Sequence, residues 1–127
     1  MTRLKLVLIL IFTAGTGITM AQVRHARQYQ IPDSINSVLR NSCTSCHGLN
    51  GGRFPRARLN LARWGEYGAS KATEKALLMC SAIRNGEMPP ESVRDAYPDL
   101  VPTKKQTEMI CKWAQSLKTG KGRKQPR

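Results

Sequence analysis

The stretch Cys43-Thr44-Ser45-Cys46-His47 decides how the rest of this chain is read. On a helical turn, two cysteines three positions apart fall on nearly one face, and here a histidine follows directly. That spacing suits covalent haem attachment. Each thiol can add to a haem vinyl group, and the adjacent imidazole reaches the iron from the same side. Three other readings use the same residues: a redox dithiol, a zinc site, and a disulfide beside an unrelated histidine. A thioredoxin-type dithiol belongs in a βαβ context, and no such pattern flanks this stretch. A tetrahedral zinc site would have to recruit Cys80 and Cys111, which lack a second paired spacing.

Upstream of this stretch the chain opens as a targeting segment. Arg3 and Lys5 precede an unbroken apolar run from Leu6 to Phe12, which fades through Thr13, Ala14, Gly15, Thr16 and Gly17. Thr19-Met20-Ala21 offers a small-x-small cleavage site, so residues 1–21 read as a signal peptide and Gln22 as the mature N-terminus. The alternative is an uncleaved anchor, for which the apolar run is short and broken by glycine. Export to the periplasm suits covalent haem attachment, and an oxidising compartment permits a disulfide.

Residues 22–118 then form one small domain with a thin core, to which a buried haem would add apolar area. Val23 to Gln30 is a polar lead-in. Pro32 and Asp33 start a helix whose stripe is Ile31, Ile35, Val38 and Leu39, continued by Ser42 as it enters the cysteine motif. From Gly48 to Gly68 the period breaks into a loop marked by Gly48, Gly51, Gly52 and Pro55 and studded with Arg53, Arg56, Arg58 and Arg63. Ser70 is the expected N-cap of a second helix ending near Asn85, with Gly86 just beyond its end. Glu91 to Pro102 reads as a polar connection. The last helix follows Thr103, with Gln106 completing a capping box, and buries Met109, Ile110, Trp113, Ala114 and Leu117. Residues 119–127 form a basic tail read as disordered.

His47 supplies one axial ligand, and four residues compete for the other: His25, Met79, Met88 and Met109. Met79 and Met109 sit on helix stripes, where core packing is their ordinary role. His25 lies in the lead-in. Met88 stands in Gly86-Glu87-Met88-Pro89-Pro90, a proline-braced loop well downstream of His47, and is the favoured ligand. Trp64 and Tyr67 either pack in the core or turn their polar ends to a haem propionate, and any of the four arginines, Arg58 among them, would suit the same role.

With Cys43-x-x-Cys46-His47, Met88-Pro89 and two terminal helices placed to cross, the chain resembles class I c-type cytochromes. It is most similar to small exported bacterial monohaem domains, on Leu59-Asn60-Leu61 before Trp64-Gly65-Glu66-Tyr67, on the Met88 loop, and on Ile110-Cys111-Lys112-Trp113-Ala114. The resemblance covers about residues 35–118. It implies an all-α, cytochrome c-like fold of three to four helices around one covalently bound haem c, whose iron has histidine–methionine ligation. One departure is that Pro55 follows His47 more closely than the proline that orients the imidazole in ordinary members. Cys80 and Cys111, left over in an exported chain, read as a disulfide in preference to two buried thiols.

The function class these residues favour is one-electron transfer and not enzymatic turnover. No Ser/His/Asp, paired-carboxylate or phosphate-loop constellation competes with it. A second class keeps the haem but makes it a ligand sensor or peroxide-reactive centre with a displaceable distal ligand. The formal charge of +13, lowered by two when the leader with Arg3 and Lys5 is removed, points to an acidic redox-partner protein or an anionic membrane surface. Nucleic acid does not suit an exported chain.

Overall fold

The computed structural model describes residues 29–120. The signal peptide read over residues 1–21, His25, and the tail beyond Gly120 lie outside the described residues. Those described are helical, with no strand among them. The elements run α1 (Asp33–Ser42), α2 (Thr44–His47), α3 (Arg53–Arg58), a 3₁₀ turn (Leu61–Glu66), α4 (Ala69–Arg84), α5 (Glu91–Ala96), a short 3₁₀ turn (Pro98–Leu100) and α6 (Lys104–Lys118).

Pro32 is the N-cap of α1, and Asp33 sits in its first turn, where the helix dipole favours an anion. Ile35, Val38 and Leu39 are buried, as their spacing requires. Thr103 and Gln106 form the full capping box that starts α6. Gly86 follows the last residues of α4 with φ +70, the left-handed position that glycine occupies without strain.

Three boundaries differ from the sequence reading. α4 begins at Ala69 with extended Gly68 as its N-cap, so Ser70 is a helical residue and caps nothing. The segment read as one loop from Gly48 to Gly68 contains α3 and a 3₁₀ turn. The connection from Glu91 to Pro102 contains α5 and the second 3₁₀ turn. Each of these pieces is three to six residues long, too short for a hydrophobic period to show, and such turns persist because tertiary contacts hold them.

The core lies where α4 and α6 pack side by side and α1 crosses onto α6. Ala72, Ala76, Ile110 and Ala114 are fully enclosed at this seam. Small residues on α4 let the two helices approach closely. Cys80 and Cys111 meet there as a disulfide with Cα atoms 4.9 Å apart. Trp64 packs against Trp113 with ring centroids 5.6 Å apart, tying the first 3₁₀ turn to α6.

Candidate functional site

The cysteine motif sits in a tight corner between α1 and α3. Cys43 N–H donates to the Leu39 carbonyl, ending α1, and His47 N–H donates to the Cys43 carbonyl at 2.8 Å, closing α2. The chain then folds straight back. A Cβ on Gly51 would lie 1.9 Å from the Cys46 carbonyl oxygen, and one on Gly48 would lie 2.5 Å from that of Thr44. Only glycine allows this approach, which sets α3 beside the histidine.

His47 is half-buried, and its Nδ1 is 3.0 Å from both the Pro55 and the Leu59 carbonyl oxygens. Carbonyls accept and cannot donate, so Nδ1 carries the proton. The ring is thereby fixed in the tautomer whose Nε2 lone pair is available to a metal. Pro55 lies in the first turn of α3, where its missing N–H costs no helical bond, and its carbonyl serves both Leu59 N–H and the imidazole.

A mainly apolar cleft of about 700 Å³ opens beside this corner. Cys43, Cys46 and His47 border it, together with Pro55, Arg58 and Leu59 from the α3 region and Met88 and Pro89 from the loop after α4. α4 contributes Lys75, Leu78, Met79, Ala82 and Ile83, a stripe at steps of three and four. Its size lies in the ordinary range for a small-molecule or cofactor site. Leu78 is 53% exposed, Phe54 86% and Met88 38%, so several of its apolar side chains are left partly uncovered among the described residues.

The structure therefore brings Cys43, Cys46, His47, Met88 and Arg58 to one cleft. Met79 also borders it but is buried in the core, and Met109 packs against the core, half-buried. Trp64 and Tyr67 do not border the cleft. The Trp64 indole N–H donates to the Tyr29 carbonyl at 2.6 Å, and the Tyr67 hydroxyl accepts from Asn60 N–H at 3.0 Å. The Trp64 donor is thus taken by backbone, while the Tyr67 hydroxyl accepts here and keeps its own proton to donate. Of the four arginines Arg58 alone borders the cleft, while Arg56 donates to the Leu49 carbonyl and Arg63 pairs with Glu66.

No family model, curated protein or solved structure matches this chain.

Burial, and then the neighbouring Cys46, push the Cys43 thiol up to about 11. It is protonated at neutral pH, the opposite of the lowered thiol of a redox dithiol. Cys80 and Cys111 are spent on each other, so they cannot complete a four-cysteine zinc site. Among the described residues, no three His, Cys, Asp or Glu side chains gather as a metal-binding group. A donor set of one imidazole and one thioether, with two thiols beside them on an apolar cleft, fits a large planar apolar group that brings its own nitrogen ligands. Sequence reasoning missed Lys75, whose signal was its place on the stripe with Leu78, Met79 and Ile83.

Proposed function

We propose that this chain is an exported carrier of single electrons, a c-type haem protein in the class I cytochrome mould with a domain spanning residues 22–118. The observation that carries the reading is the convergence of Cys43, Cys46, His47 and Met88 on one apolar cleft. Haem supplies there a one-electron iron couple. Cys43 and Cys46 would hold it through thioether bonds to its two vinyl groups, an addition of S–H across each vinyl that would need no oxidant. His47 presents Nε2 because two carbonyls hold its other nitrogen. Met88 presents a thioether, a weaker donor than imidazole, which raises the reduction potential. Lys75 and Arg58 place positive charge at the rim, where carboxylates of the cofactor can pair with it. With His47 and Met88 both offered to the iron, the protein would leave it no position for substrate. The basic surface suits an acidic partner protein, with an anionic membrane surface as the other docking site.

The test is production in a host competent for haem attachment. Mass spectrometry under denaturing conditions should return the polypeptide plus one haem, and the oxidised protein should show the weak red absorption of a sulfur–iron bond. A bare polypeptide mass overturns the proposal. One observation favours a ligand-responsive haem as the second reading: Met88 is 38% exposed on a loop and so open to displacement. Carbon monoxide separates the two. Poor binding to the reduced wild type and ready binding to Met88→Ala support the electron carrier, and ready binding to both supports the sensor.

A further inference from the structure

We propose that Arg94 is the positioning residue that keeps Met88 in place, by clamping the backbone on both sides of it. This rests on the reading of Met88 as an axial ligand. The loop from Gly86 to Pro90 is held from two directions. On the α4 side, Glu87 N–H and Met88 N–H both donate to the Ala82 carbonyl, at 2.9 and 3.1 Å. On the α5 side, Nη1 of Arg94 donates to the Gly86 carbonyl and, at 2.7 Å, to the Pro89 carbonyl. One guanidinium nitrogen thus ties together the residue two before Met88 and the residue directly after it.

The need for such a clamp follows from the sequence of the loop. Pro89 and Pro90 have no N–H, so the segment has few donors with which to hold itself. The Gly86 and Pro89 carbonyls accept from no backbone donor among the described residues. Arg94 makes no ion pair among those residues, although Glu87, Glu91 and Asp95 lie close in the chain. Its donors go to the loop carbonyls. Arginine stays charged at all ordinary pH values, so both bonds are charge-assisted throughout. Val93, its neighbour on α5, borders the cleft, so the clamp is anchored on an element that itself forms the site.

An external ligand can bind the iron only in the fraction of molecules whose thioether has swung away, so anything holding the loop lowers its apparent affinity. Arg94→Ala should leave haem attached at Cys43 and Cys46. It should weaken the red band and raise the carbon monoxide affinity of the reduced protein about tenfold or more, which is about 1.4 kcal/mol. Hydrogen exchange at the Glu87 and Met88 amides should quicken, a readout independent of the iron. Arg94→Gln, which removes the charge and shortens the reach while keeping a polar side chain, should shift the same readouts in the same direction. Arg84→Ala removes a nearby exposed charge that touches no loop carbonyl and should leave all three readouts as in wild type.

Wild-type band, affinity and exchange in Arg94→Ala overturn the proposal. So does an Arg84→Ala protein that matches it, since the effect would then be charge alone. If Arg94→Ala does not fold, Arg94→Gln decides: a raised affinity supports the clamp and wild-type behaviour overturns it. A wild type that lacks the red band and binds carbon monoxide as well as Met88→Ala removes the ligand reading, and the inference with it.

Discussion

The two faces of α4 are built from similar apolar material and end in opposite states. On one, Ala72, Ala76 and Cys80 are buried where α4 meets α6, and a disulfide crosses the join. On the other, Leu78 and Ile83 stand at a cleft that stays open among the described residues. A chain that gained from closing both faces would do so, because burying apolar surface contributes about 25 cal/mol per Å². Small residues and a covalent link bring α6 close on the first face. On the second, the α3 corner and the proline loop hold the walls apart. The proposal for this protein puts a guest in that cleft.

Four variants probe that contrast, and the largest effect should come from the closed face. Replacing Cys80 and Cys111 together by serine frees a loop with a sequence separation of 31 and should cost about 3–4 kcal/mol by loop-closure entropy, read by urea unfolding. A loss near zero would mean that packing alone closes the seam. Gly51→Ala attacks the wall of the open face, since its Cβ cannot coexist with the Cys46 carbonyl. Overpacking of this kind should cost about 1–3 kcal/mol and lower the yield of covalent haem seen by mass spectrometry. Ile110→Val at the closed seam should cost about 1 kcal/mol in denaturant titrations. Leu78→Ala sharpens the comparison most. In haem-free protein it should change stability by less than about 0.5 kcal/mol, as at an ordinary surface position. In haem-loaded protein the same change should be clearly destabilising, and equal effects in the two forms would argue against a guest in the cleft.

Much of this could be read from the chain before its fold. The cysteine motif, the Thr103–Gln106 box, the Gly86 stop and the stripes of α1, α4 and α6 are local patterns whose physics acts within one or two turns. The pairing of Cys80 with Cys111 followed from elimination and compartment. Other features were not legible because their partners are distant or their elements too short. Ser70 looked like a cap, yet extended Gly68 starts the helix earlier. Trp64 and Tyr67 carry polar ends suited to a cofactor, and only folding gave the Trp64 N–H to the Tyr29 carbonyl and set the Tyr67 hydroxyl to accept from Asn60 N–H. Four arginines were equivalent in sequence, and only folding sent Arg56 to Leu49, Arg63 to Glu66 and Arg58 to the cleft.

By itself, then, the sequence determined which atoms are available for chemistry: two thiols, an imidazole after them, and a methionine between a glycine and two prolines. It also determined the long helices, because hydrophobic period and capping act locally. The tertiary structure alone decided how those atoms are aimed. The proton on His47 Nδ1 is assigned by carbonyls eight and twelve residues away. The Met88 loop is tied by a guanidinium from the next helix, and the cleft exists only because distant elements keep its walls apart. Hydrogen bonds and packing between remote segments depend on their positions in space, and no local pattern in the chain encodes those.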